Sequence, residues 1–136
     1  MQNNIIGLDP GRDKCGIAVV SPEGTVLFQK VIQTDNLSAQ VTELLTTYEI
    51  HQLVIGNGTT SKTAQETIRG TCPELNIEVV DEYYTTQLAR QEYWRANPPK
   101  GWRKLLPVSM QVPPGPVDDF VAIILARRFL QKNMKI

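Results

Sequence analysis

The chain opens with two short apolar runs, Ile5-Ile6-Gly7-Leu8 and Gly16-Ile17-Ala18-Val19-Val20, parted by Asp9-Pro10-Gly11-Arg12. Apolar runs of this length broken by turn residues read as strand, turn, strand. Asp, Pro and Gly build turns through side-chain capping, a fixed φ and a free φ, so a turn alone accounts for the spelling. It does not account for where the carboxylate sits. Asp9 takes the last position of the first strand, in the middle of a sheet, where an uncompensated charge costs several kcal/mol.

The remaining elements follow from periodicity. Thr25 to Ile32 is a third β-favouring run after the turn Pro22-Glu23-Gly24, so the first three strands form an antiparallel meander. Leu37, Val41, Leu44, Leu45 and Tyr48 then recur on one face of a helix that Asp35, Asn36 or Ser38 can cap. Leu53-Val54-Ile55-Gly56 is a short buried strand leading into Asn57-Gly58-Thr59-Thr60-Ser61. A helix from Ser61 to Arg69 is expected to stop at Gly70. Ile77 to Asp81 is a strand ending at Glu82, and Thr85 or Thr86 caps a helix reaching about Trp94. Residues 96–116 are rich in proline and read as a long irregular loop, a kind of segment that in compact domains carries function or motion. The last helix, from Val117 to about Lys132, is apolar nearly all round. The order β-β-β-α-β-α-β-α makes a five-stranded mixed sheet with helices on both faces. At 136 residues, without a repeat or linker, the chain is expected to be one domain over residues 1–136.

Composition removes several functions. No apolar stretch approaches the ~20 residues of a membrane span, and Met1-Gln2-Asn3-Asn4 is not followed by the basic segment and long apolar run expected of a signal peptide. Cys15 and Cys72 have no metal-ligand spacing, so a reduced, cytoplasmic setting is expected. His51 is the one histidine, which argues against a histidine zinc site or a Ser-His-Asp triad. Basic and acidic residues balance at 14 each, so the molecule as a whole has no pull on nucleic acid. Locally the balance breaks. Arg90, Arg95, Lys100, Arg103 and Lys104 are interleaved with Tyr93, Trp94 and Trp102, with Glu92 the one acid among them. Cations with stacking rings suit a nucleic-acid strand, and a solvated loop with aromatic anchors is the plainer account of the same residues.

Asp9 and Glu82 both close strands. Parallel strands ending at one sheet edge bring such residues together, the usual place for a site in α/β sheets. Asp118 supplies a third acid: at 100° per residue it centres on the stripe of Val121, Ala122, Leu125 and Phe129, and so points at the sheet. Helix capping alone explains an acid at Asp118 or Asp119 but not the inward direction. Converging carboxylates repel, so one holds a proton or the group holds a cation. Mg²⁺ favours such oxygen ligands, and two ions ~4 Å apart activate water at a phosphodiester. Three acids, no suitable histidine and a basic-aromatic segment together suggest metal-dependent phosphodiester hydrolysis.

These residues also carry a family resemblance. Ile6-Gly7-Leu8-Asp9-Pro10-Gly11 with Gly16-Ile17-Ala18-Val19, Val80-Asp81-Glu82 with Thr85-Thr86, and Val117-Asp118 leading into Ala122-Ile123-Ile124-Leu125 resemble the YqgF (RuvX) family. That family is a branch of the RNase H-like fold related to the RuvC Holliday-junction resolvases. Asp-Pro-Gly looks more like RuvC, whereas Gly56-Asn57-Gly58-Thr59 with Ser61 looks like the YqgF-type domain of the Tex proteins. The resemblance implies a nuclease acting on branched DNA or ribosomal RNA precursors. Asp9, Glu82 and Asp118 would be its catalytic, Mg²⁺- or Mn²⁺-binding acids, with Asp119 the alternative to Asp118. Lys14, Arg90, Arg95, Lys100, Trp102, Arg103 and Lys104 would contact nucleic acid. Junction cleavage calls for two sites related by two-fold symmetry, hence a homodimer. The chain departs from the family at Lys14-Cys15-Gly16, where an arginine is usual, and at Asp81-Glu82-Tyr83, where Asp-Glu-Arg is usual. Lysine does not grip phosphate bidentately. The segment 96–116 departs as well.

Two other readings compete. A Tex-type binding module would have the same fold and no turnover, which Gly56-Asn57-Gly58-Thr59 favours and the retained acids oppose. Half of a sugar-kinase or actin-like ATPase would use a similar strand-Asp-turn element, but such enzymes need two of these domains around the nucleotide.

Overall fold

A computed structural model describes residues 4–81, 88–89, 95–96 and 118–134. Strands β1 (Asn4–Asp9), β2 (Lys14–Val20), β3 (Val26–Gln33), β4 (Ile50–Gly56) and β5 (Asn76–Val80) form one sheet in the order β3-β2-β1-β4-β5. The first three are antiparallel, as short turns require, while β4 and β5 run parallel to β1. Helix α1 (Leu37–Thr47) carries the chain from β3 to β4, and α2 (Ser61–Thr71) carries it from β4 to β5. A third helix, α3 (Asp118–Met134), closes the other face. The mixed five-stranded sheet covered on both faces is the architecture expected from the sequence.

Strand alternation sorts the core into two layers. Ile6, Leu8, Ile17, Val19, Leu53 and Ile55 pack with Leu37, Val41 and Leu44 of α1 and Ile68 of α2. Their neighbours Ile5, Val20 and Val54 pack with Val121, Ile124, Leu125 and Phe129 of α3. Six consecutive residues of α3, Val121 to Ala126, are buried where the helix crosses β1 and β2. Two glycines permit that closeness. A Cβ on Gly7 would strike the Ala122 carbonyl oxygen and stand 3.1 Å from Ala126 Cβ. A Cβ on Gly16 would strike the carbonyl of Asp118 and stand 2.6 Å from the Asp119 nitrogen. Glycine inside a strand often marks such an approach of another backbone.

Several element ends differ from expectation, each for a local reason. No side-chain cap bond is made by Asn36 at the start of α1. The chain enters through a 3-10 turn, Thr34–Asn36, and the Leu37 amide already donates to the Thr34 carbonyl. Helix α2 runs through Gly70 and ends at Cys72, with φ −131° and ψ 71°. Pro73 is the stop, since the residue before a proline is driven out of the helical region. Strand β4 starts at buried Ile50, which pairs with Asn4, rather than at Leu53. Strand β5 ends at Val80, one residue before Asp81. The expected helix from Thr85 or Thr86 to Trp94 and the expected loop 96–116 fall almost wholly outside the described residues.

Candidate functional site

Asp9 ends β1 and is half-buried. Ile5 belongs to the layer under α3 and Gly7 touches that helix, so the two-residue alternation puts Asp9 on the same face. Its cross-strand partner is Gly16. The backbone of Asp118 rests on that same Gly16. Two acids separated by most of the chain therefore stand at one edge of the sheet, on one face, over a single cross-strand pair.

Asp118 is half-buried, and its carboxyl is raised above the ordinary 3.8. Burial is the largest cause, the neighbouring Asp119 charge adds to it, and Lys14 opposes both. Asp119 is engaged elsewhere. Its Oδ2 accepts from Gln29 Nε2 at 2.9 Å on β3, and its Oδ1 accepts from the Phe120 amide at 3.1 Å.

Exposed Lys14 begins β2 beside the β1–β2 turn. The 3-10 turn after β3 braces that turn. Thr34 Oγ1 donates to the Gly11 carbonyl at 2.9 Å, the Thr34 amide donates to the Asp13 carbonyl at 2.9 Å, and Cys15 Sγ lies 3.4 Å from Thr34 Oγ1. A cleft of about 290 Å³ opens there, lined by Arg12, Asp13, Lys14, Gln33 and Asp35.

On the far side of β1, Gly56 of β4 pairs with Val80 of β5. The ends of β1, β4 and β5 thus share one edge, and two strand spacings of about 4.8 Å separate β1 from β5. Arg128 Nη1 of α3 donates to the Asp81 carbonyl at 2.7 Å, fixing the helix to the chain just after β5. Arg127 Nε donates to the Gly24 carbonyl at 3.2 Å, fixing it to the β2–β3 turn.

Glu82, the next residue after Asp81, lies outside the described residues, as do Arg90, Lys100, Trp102, Arg103 and Lys104. Arg95 is described and exposed. Among the described residues there is no group of three or more His, Cys, Asp or Glu side chains that could hold a metal ion. The described acids, Asp9 and Asp118, are hard oxygen donors, and the burial and like charge that raise Asp118 are what a cation would offset. His51 is exposed at the opposite end of β4, and both cysteines are free thiols. No helix among the described residues is long and apolar enough to cross a membrane.

Sequence reasoning singled out the acids and overlooked what positions them. Gly7 and Gly16 set the seat of α3, and a glycine within an apolar strand run was the available signal. The Thr34 brace had no signal in the sequence.

Comparison with known proteins places this arrangement. A family model described as the Tex protein YqgF-like domain matches residues 3–97. No curated protein matches. Among solved structures the chain is similar to Thermus thermophilus RuvC, with a TM-score of 0.64 and 16% identity over 97% of this chain and 96% of that one. It is also similar to T. thermophilus RuvC in complex with a Holliday junction substrate, with a TM-score of 0.59 and 17% identity over the same shares. At such identities the likeness is one of fold, and the fold is RNase H-like. By its sequence and its architecture, the chain belongs to the family of Tex protein YqgF-like domains.

Proposed function

We propose that this protein is a metal-dependent nuclease that hydrolyses phosphodiester bonds in structured nucleic acid, a ribosomal RNA precursor or branched DNA. The observation that carries the reading is the seating of Asp118 on Gly16, the cross-strand partner of Asp9. This brings two acidic residues, far apart in sequence, to one edge and one face of the sheet.

Asp9, Glu82 and Asp118 would hold Mg²⁺ or Mn²⁺, which when bound supplies an activated water and charge stabilisation at the leaving oxygen. Asp9 and Asp118 provide fixed carboxylate oxygens on rigid elements, and the Arg127 and Arg128 bonds keep α3 from shifting. Asp119, bonded to Gln29, is the less suited ligand. Lys14 brings a cation beside Asp118, where a substrate phosphate would approach. Arg90, Arg95, Lys100, Trp102, Arg103 and Lys104 would carry the strand by charge and stacking. T. thermophilus RuvC, similar in fold, has been seen with a Holliday junction substrate, which supports branched nucleic acid as one substrate class. Action on a junction would join two copies of the chain about a two-fold axis. Residues 1–136 would act as one domain in the cytoplasm.

The test is cleavage of a labelled structured RNA and a four-way DNA junction with Mg²⁺ or Mn²⁺, against an EDTA control, for wild type and Asp9→Asn. Cutting that needs metal and falls to background in Asp9→Asn, with an unchanged circular dichroism spectrum, is expected. Undiminished cutting by Asp9→Asn would remove the assignment.

A second reading, a binding module without turnover, is favoured by the match to the Tex protein domain and by Gly56-Asn57-Gly58-Thr59 between β4 and α2. Tight binding by a wild type that cuts neither polymer with either metal would select it.

A further inference from the structure

Beyond the acids, on the β3 side of α3, lies a depression of about 200 Å³ lined by Val26, Gln29, Arg95, Ala96, Phe120, Ile123 and Arg127. It combines two guanidinium groups with a half-buried aromatic ring over an aliphatic floor. Its link to the candidate active site is direct. Gln29, in its wall, donates to Asp119, and Asp119 follows Asp118 in the chain.

The charges around it are set by the fold. Arg127 Nε is committed to the Gly24 carbonyl, which holds the guanidinium in one orientation at the rim. Arg127 also borders a second depression, where Glu23 is the one acidic residue of the lining. At the near end the Asp119 carboxylate is turned to Gln29 and the Phe120 amide. The result is a surface that changes from acidic at Asp118 and Asp119 to basic at Arg127, on the same helix, and at Arg95 beside it.

We propose that this depression is the track by which a nucleic-acid strand leaves the acid site, with a phosphate on Arg95 and Arg127 and the adjoining base against Phe120. This rests on the nuclease reading and deepens it, because the track gives the strand a direction: over β3, away from β4 and β5. Planar guanidinium groups bind phosphate as forks, and an aromatic face accepts any base, so the track would be indifferent to sequence. Lys14, a point charge at the β1–β2 turn, does not grip phosphate bidentately, whereas the two arginines can on this side.

The experiment is fluorescence anisotropy of Asp9→Asn protein, which removes cutting, with a four-way DNA junction and an RNA hairpin carrying a single-stranded tail, at several salt concentrations. Arg95→Gln and Arg127→Gln are each expected to weaken binding about fivefold near 0.1 M salt and to lower the salt slope by roughly 0.7–0.9. Phe120→Leu should weaken binding of the tailed hairpin and spare its blunt counterpart. Lys30→Gln is the control, since Lys30 is exposed on β3 but pairs with Ile17, whose side chain belongs to the opposite layer. Arg127→Gln also breaks the bond to Gly24, so Arg95→Gln keeps the test independent of that turn. Wild-type affinity and slope in both arginine variants would overturn the track and leave the nuclease reading intact. A wild type that neither binds nor cuts either polymer would overturn the two together.

Discussion

Gly16 is the residue on which the site geometry turns. Alanine there would place a methyl group against the Asp118 carbonyl, and backbone has no rotamer by which to yield. Overpacking of this kind costs typically 1–3 kcal/mol. Gly16→Ala is therefore expected to lower Tm by several degrees in a thermal melt and, on the proposed nuclease reading, to cut activity more than the melt alone would imply. An unchanged Tm would mean that α3 does not sit where Gly16 requires. Gly24, at φ 90° with open space around it, tests backbone conformation without crowding. Asp118 gives a second residue-scale expectation. Its raised carboxyl means that the folded chain holds the proton more tightly than the unfolded chain does. Stability is thus lost as pH climbs from about 3.8 through the raised value, and stays lowered above it. In metal-free buffer Asp118→Asn should melt higher than wild type at pH 7, and the gap should close as pH falls below 3.8. A gap that widens toward acid would reverse the sign of the argument.

Among elements, α3 and the β1–β2 turn do the positioning. Helix α3 packs flat on the sheet and is fixed at both flanks by Arg127 and Arg128. The turn is fixed by a segment distant in sequence, the 3-10 turn at Thr34. Thr34→Val keeps the shape and removes the hydroxyl that reaches the Gly11 carbonyl, a bond worth about 1 kcal/mol. Faster hydrogen exchange at the Thr34 amide, which donates to Asp13, is the expected sign that the turn has loosened. Unchanged exchange and an unchanged melt would show the brace to be idle. Sequence periodicity found the five strands and the helices α1, α2 and α3, since their apolar faces are dictated by burial. It misplaced the end of α2 because Gly70 and Pro73 both look like stops, and in the structure the proline acts.

At the scale of the molecule, a zero net charge leaves no general attraction to nucleic acid, so any binding must come from local clusters. Arg103 and Lys104 are the densest pair in the basic-aromatic segment. Replacing both by glutamine is expected to reduce the slope of log affinity against log salt by roughly 1.4–1.8. An unchanged slope would take that segment off the binding surface. The sheet order also divides the molecule by task. Strands β1, β4 and β5 end at the acid edge, where Lys14 opens β2, while β3 borders the depression beside Phe120.

The sequence by itself determined the mixed sheet, the faces of its helices and the carboxylates at element ends, because all three depend on local periodicity and on turn chemistry at fixed positions. Asp9 and Asp118 were legible because a charge at the end of an apolar run is costly wherever the run is buried. The tertiary structure decided which acids share one edge of the sheet. That depended on α3 crossing β1 and β2 over Gly7 and Gly16, on Gln29 bonding Asp119, and on Thr34 holding the Gly11 carbonyl 23 residues earlier in the chain. Contacts between residues far apart in sequence leave no period to read. They arise when the buried faces are brought together, and the glycines decide how close those faces come.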